Sequence, residues 1–303
     1  MNRIGYRNEL NPQEEFRRTA LFASDVVCLA DVRCRGVCRH RSAEENNSDA
    51  QLIFPYRGLF IRHVGSDESV ADANQVLFFG ADEMHQVSHP ITGGDACVVM
   101  TLSQNVLPEL ASAEIYDEKM RRFRVRSRSL LPAAQALRTV LLTRLADGVS
   151  TALEAESISL ALARLAFAPM PLTRYKPTRA KRHLVDRVKL FLADSASKRI
   201  SLADIGESVG ASPVYLTQVF SELEGLPLYR YQLRLRLAQA LVRLPDQKDL
   251  SALALDLGFS SHSQFTTLFG QTFGLPPGDF LRTASLSEIN RLLKILKAGP
   301  LPA

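Results

Sequence analysis

The feature that most constrains this chain is a short pattern written twice towards its C-terminal end. The copies are Leu202-Ala-Asp-Ile-Gly-Glu-Ser-Val-Gly210 and Leu250-Ser-Ala-Leu-Ala-Leu-Asp-Leu-Gly258, 48 residues apart. Each has apolar residues at its first, fourth and eighth positions, the spacing of one helix face, and ends on a glycine able to take the positive φ of a tight turn. A second apolar-periodic segment follows each copy: Ser212 to Phe220 with Leu216 and Phe220 inward, and Ser260 to Phe273 with Phe265 and Phe269 inward. Helix, glycine turn and helix make the pattern of a helix-turn-helix, whose second helix can lie in a DNA major groove. Two in tandem are a far more specific signal than one.

The segment between the copies has its own grammar. Gly225-Leu-Pro227 closes the first unit, and a helix is expected from Leu228 to Leu244, carrying Tyr231, Arg236, Ala240 and Leu244, until Pro245 stops it. The second unit closes in Phe273-Gly-Leu-Pro-Pro277, followed by Phe280 and Arg282. In Ser212-x3-Leu216-x3-Phe220, Gly225, the Tyr231/Arg236/Ala240 connector, Leu253-Ala-x2-Leu-Gly-Phe259, Phe265-x3-Phe269 and Phe273-Gly274, the chain resembles the AraC/XylS family of bacterial transcription regulators. The resemblance covers roughly a third of the chain. It implies double-stranded DNA and RNA polymerase as partners, a small-molecule effector, and a homodimer paired through N-terminal helices.

By the same resemblance, the DNA-facing positions are Val214, Thr217 and Gln218 in the first unit and His262, Ser263, Thr266 and Thr267 in the second, with Arg236 on the connector. Gln218 can pair bidentately with adenine and the threonine methyls can touch thymine, whereas arginine is the usual reader of guanine. The family often carries Arg where this chain has Thr267 and Lys where it has Gly270. The second unit is therefore expected to grip the DNA backbone more than it reads sequence.

Charge is distributed to match. The chain is +5 with a pI near 9.1, yet Arg182 to Arg282 holds 11 Lys/Arg against 10 Asp/Glu. The excess sits in the flanks, at Arg174, Lys176, Arg179, Lys181 and Arg182 before the first helix and Arg291, Lys294 and Lys297 after the last. Phosphate neutralisation supplies much of nonspecific affinity, so local clusters must substitute for bulk charge. From Ser285, a capping box and the stripe Ile289, Leu292, Leu293 and Leu296 predict a further helix.

The 303 residues, 46% apolar, can fill two cores. No apolar run approaches 18 residues and no N-terminal apolar segment suggests a signal, so a cytoplasmic protein without a membrane span is expected. Strand-like runs at Asp25 to Arg33, Gln51 to Val64, Asn74 to Phe79 and Ala96 to Leu102, between Gly- and Asp-rich turns, suggest a sandwich or small barrel. Val76-Leu-Phe-Phe-Gly-Ala-Asp-Glu-Met-His85 resembles the second motif of a cupin barrel, the usual sensing domain of the family. Two amphipathic helices are expected at 133–146 and 151–167.

Sulfur and imidazole gather in two N-terminal stretches, Cys34-x3-Cys38-x-His40 and His85-x3-His89-Pro90-x6-Cys97. These are natural ligands of zinc or another thiophilic metal, although the spacing is not that of a zinc finger. Cys34 and Cys97, with Cys38, His85 and His89 for the remaining positions, are the candidate ligands. Burial as small hydrophobes is the competing account, and it suffices for Cys28 and Cys97 in their apolar runs.

The reading is an α+β protein with no catalytic residues. Residues 1–171 form a cupin-like β-barrel with flanking helices for sensing and dimerisation. Residues 172–181 form a basic linker, and 182–303 an all-α DNA-binding domain with two helix-turn-helix units and a helical tail. The alternative is a cupin-type metalloenzyme or metal-binding protein fused to a DNA-binding module. Catalytic cupins usually need a His-x-His, which this chain lacks.

Overall fold

The computed structural model describes residues 15–36, 40–168, 178–195 and 200–282. Arg174, Lys176, Cys38 and the expected helix from Ser285 lie outside the described residues.

The chain is a mixed sheet and helix structure. Eight strands come first: β1 (Phe16–Ala23), β2 (Val27–Cys34), β3 (Gln51–Arg57), β4 (Phe60–Val64), β5 (Asp67–Ala71), β6 (Gln75–Phe79), β7 (Gln86–Ser88) and β8 (Asp95–Leu102). A short helix α1 (Leu107–Leu110) and three small strands follow, β9 (Tyr116–Asp117), β10 (Arg122–Phe123) and β11 (Ser127–Ser129). Helices α2 (Pro132–Ala146) and α3 (Ala152–Phe167) complete the N-terminal part. The C-terminal part is helical: α4 (Arg179–Asp194), α5 (Leu202–Val209), α6 (Pro213–Glu224), α7 (Leu228–Arg243), α8 (Leu250–Asp256), α9 (His262–Phe273) and α10 (Pro277–Leu281).

One antiparallel sheet has the order β1-β2-β8-β3-β6-β11, and a second has the order β5-β4-β7. Period-2 alternation decides what each face meets. Ala96, Val98 and Met100 on β8, Leu52 and Phe54 on β3, and Val76 and Phe78 on β6 join Leu137, Leu141, Ile158 and Leu162 of α2 and α3. The opposite face, with Cys97, Val99, Ile53, Leu77 and Phe79, closes on Phe60 and Ala71 of the smaller sheet. Strand β3 is buried from Gln51 to Tyr56, and its middle, Leu52 to Phe54, is continuously apolar because both of its faces are covered.

The run from Gln51 to Val64 divides at Gly58, whose φ of +68° breaks the strand. A Cβ there would lie 2.0 Å from the Gly94 carbonyl oxygen, so only glycine admits this approach. The halves, β3 and β4, go to different sheets. Cys28, expected to pack as a small hydrophobe, is exposed instead: its side of the sheet is left uncovered near the start of β2.

The helical part contributes to two cores. Val185, Val188, Leu192, Ile205, Val209, Leu216, Phe220 and Tyr231 pack α4, α5, α6 and the start of α7 together. Leu237, Ala240 and Leu241 of α7 and Phe265, Phe269 and Phe273 of α9 join the cluster that contains α2, α3 and the large sheet. Helix α7 thus belongs to both.

Candidate nucleic-acid interface

Both duplicated segments form a helix, a left-handed glycine and a second helix. Ser201 caps α5 in a capping box with Asp204, and Gly210 ends it at φ +64°. Ser212 then caps α6 at the Tyr215 amide. In the second copy Asp249 accepts from the Ser251 and Ala252 amides at the start of α8. Gly258 turns at φ +79°, and Ser261 caps α9 at the Gln264 amide. Side-chain oxygens on the first-turn N–H groups are what these residue types supply at helix starts.

Burial sorts the faces of α6 and α9. Leu216, Val219 and Phe220 are buried on α6, while Val214 is 80% exposed and Gln218 is exposed. Thr217 is half-buried and its hydroxyl donates to the Pro213 carbonyl, so its methyl is what remains for a partner. On α9, Phe265, Phe269 and Phe273 are buried, and His262, Ser263 and Thr267 are exposed. Thr266 Oγ1 lies 3.4 Å from His262 Nε2. Arg236 occupies a different position: half-buried on α7, it donates to the Gly258 carbonyl and braces the second turn. Exposed Arg179 and Arg182 stand on the first turn of α4, whereas Lys181 is engaged with Glu222 at 2.8 Å.

A polar junction that the sequence reading missed ties these helices to the strands. Tyr231 donates to Asp72 at 2.6 Å, and Asn74 Nδ2 donates to the Tyr231 carbonyl at 3.1 Å. Lys189 of α4 meets Glu224 at 2.6 Å, both buried. Burial pushes the Asp72 carboxyl up despite Lys189 and the Tyr231 hydroxyl. Burial opposes the Lys189 charge too, but Glu224 and Asp72 more than reverse this and raise its pKa. Isolated Asp, Lys and Glu carry no sequence periodicity that announces such pairing.

The metal-ligand candidates do not all meet. His85 is buried as expected, but its ring sits edge-on to Phe79 at 4.7 Å and its Nδ1 faces the Glu83 carbonyl at 3.1 Å. Cys97 is buried in the apolar layer between the sheets, and burial raises its thiol pKa. Cys34 and His89 do come together, with Cys34 Sγ 3.9 Å from His89 Nδ1. Their third neighbour is Asp95, whose Oδ1 lies 2.9 Å from His89 Nε2. Burial alone would depress the His89 imidazolium, but its hydrogen bonds to Asp95 and Cys34, and their charge, lift its pKa to about 10. Asp95 stands two residues before Cys97 on one strand face, the signal by which alternation could have found it.

A family described as a helix-turn-helix domain matches residues 205–283. The chain is 32% identical over 91 residues to the probable transcription factor PqrA of Proteus vulgaris, covering 74% of that protein and 29% of this one. It is 30% identical over 129 residues to the HTH-type transcriptional activator RhaR of Klebsiella pneumoniae subsp. pneumoniae, covering 46% of that protein and 40% of this one. The bifunctional transcriptional activator/DNA repair enzyme AdaA of Bacillus subtilis is 24% identical over 123 residues, 58% of its length and 39% of this chain. The chain thus spans about half the length of RhaR and AdaA. With the paired helix and glycine-turn segments matched in this way, the chain belongs to the AraC/XylS family.

Proposed function

We propose that this chain is a sequence-specific, double-stranded DNA-binding transcription regulator. Residues 182–303 serve as the DNA-binding domain, with two helix-turn-helix units in which α6 and α9 enter successive major-groove segments, held apart by α7. Residues 1–171 serve as a cupin-like domain that senses a small molecule or metal and pairs two subunits. The basic stretch expected as a linker at 172–181 joins them and runs into α4, which already begins at Arg179. RNA polymerase is the further partner of the bound state.

The observation that carries this reading is the repeated presentation of a polar face on a capped helix behind a left-handed glycine: Val214 and Gln218 on α6, His262, Ser263 and Thr267 on α9. A helix N-terminus with free amides also attracts phosphate. The relatives PqrA and RhaR are named as transcription regulators, which favours a binding protein over an enzyme. Among the described residues no helix is long and apolar enough to cross a membrane.

The test is selection of bound duplexes from random DNA by the full chain, followed by binding at several salt concentrations. A selected consensus whose affinity falls steeply with salt is the expected result. Absence of any enriched sequence from folded protein sinks the proposal.

A further inference from the structure

We propose that Cys34, His89 and Asp95 form a binding site for a divalent thiophilic metal ion, with zinc(II) the ion that best suits the donors. This gives a chemical class to the sensing role proposed above. Its test reads metal binding directly, so its failure leaves the DNA-binding proposal standing.

The three donors arrive from separate places: the end of β2, the segment after β7 and the start of β8. Their ligand atoms nevertheless all lie within 4.8 Å of one another, and among the described residues no other group of His, Cys, Asp and Glu converges in this way. The pairing of Cys34 with Asp95 across β2 and β8 places both on the face that looks towards the smaller sheet. His89 is 9% and Asp95 4% exposed, so these two donors are sheltered from competing water, and Cys34 is half-buried. The Gly36 amide donates to Cys34 Sγ at 3.4 Å, which fixes the position of the sulfur.

Glycines allow the convergence. A Cβ on Gly94 would lie 2.1 Å from the Cys34 carbonyl oxygen, and one on Gly36 would lie 2.9 Å from Gly94 Cα and 3.5 Å from His89 Cβ. Gly36 and Gly94 also hold positive φ, at +64° and +69°. The segment carrying His89 and Asp95 can therefore close on the end of β2 only with glycine at these positions.

Sulfur, imidazole nitrogen and carboxylate oxygen together form a borderline-soft set of the kind zinc takes in tetrahedral sites. Three protein donors leave a fourth position open to water or an effector atom. Loading releases the Cys34 thiol proton and the His89 ring proton to solvent, and no other bond changes.

The experiment uses the full chain stripped with a chelator and titrated with cobalt(II), then with zinc(II). Expected are one equivalent of cobalt with a thiolate-to-cobalt charge-transfer band, and displacement of that band by zinc. Cys34→Ser should abolish the band and Cys97→Ser should retain it. His89→Gln and Asp95→Asn should each weaken zinc binding by at least about tenfold. Circular dichroism shows which variants fold, and the His89 and Asp95 variants decide the matter if Cys34→Ser does not. A band that survives Cys34→Ser, or affinity unchanged in both other variants, overturns the site. Rapid alkylation of Cys34 by iodoacetamide without cobalt uptake also overturns it and marks a reactive thiol instead.

Discussion

Tyr231 donates its phenolic hydrogen to Asp72 Oδ2 over 2.6 Å, joining α7 to the turn before β6 across 159 residues of sequence. Asp72 also accepts from the Asn74 amide at 2.8 Å, and Gln135 of α2 donates to the Ala73 carbonyl at 2.8 Å and to Asn74 Oδ1 at 3.0 Å. Tyr231 in turn packs edge-on against Phe220 of α6, with ring centroids 5.1 Å apart. One side chain therefore connects a helix of the proposed DNA-reading unit, the connector and the sheet. Such buried polar contacts weaken steeply when one partner is lost, because the other stays desolvated.

Tyr231→Phe is expected to destabilise the chain by about 1–3 kcal/mol, leaving Asp72 short of a donor. Lys189→Met removes the cation facing buried Glu224 and should cost more, about 3–5 kcal/mol. Thermal or denaturant unfolding checks both. Losses under about 0.5 kcal/mol in each would show that the junction contributes little, as surface pairs do.

Gly258→Ala tests the second turn. The φ of +79° disfavours any side chain, and the new Cβ would lie 3.2 Å from the Arg236 guanidinium carbon. A loss of about 1–2 kcal/mol is expected. Gly270→Ala, with nothing within 4 Å of its added Cβ, should be neutral or stabilising by helix propensity. Equal stability of the two variants would contradict the strained turn.

Much of this architecture was legible because it rests on periodicity and turn chemistry. The expected strand at Asn74 to Phe79 appears as β6, and the helices at 133–146 and 151–167 appear as α2 and α3 with bounds shifted by one residue at most. The connector expected to Leu244 ends at Arg243. Strand β1 was not foreseen, since exposed and half-buried residues alternate along it without a strong apolar stripe. The division of 51–64 was hidden because Gly58 looks ordinary until Gly94 is brought against it from 36 residues away. Cys34 and His89 were recognisable as donor types, but their selection over His85 and Cys97 depends on how two sheets close. Asp95 shares a strand face with Cys97, which alternation reveals, but its approach to Cys34 and His89 is again set by how the sheets close. The junction at Asp72, Lys189 and Glu224 is wholly tertiary and left no local trace.

Reading and gripping separate by substitution. If Gln218, exposed on α6, reads a base edge as proposed, Gln218→Ala should change the preferred base at one position at a cost of roughly 1–3 kcal/mol. Replacing exposed Arg179 and Arg182 with Gln should weaken binding about equally on all sequences and flatten the salt slope. Selection from random duplexes by each variant distinguishes the two. A uniform loss for Gln218→Ala would remove it as a reader.

His89 sets a pH dependence in the metal-free protein. Its pKa rises from an ordinary 6.5 to about 10, so the folded state holds a proton that the unfolded chain releases earlier. The stability contributed by the His89 contacts is therefore fully present below about pH 6.5 and is lost as pH climbs towards 10. Histidine-edited nitrogen NMR at pH 8, with chelator present, should find a protonated ring held between Cys34 and Asp95. The stability gap between the wild type and His89→Gln should shrink across the same window. A neutral ring at pH 8, or a gap that stays flat to pH 10, would show that Asp95 does not hold the imidazolium.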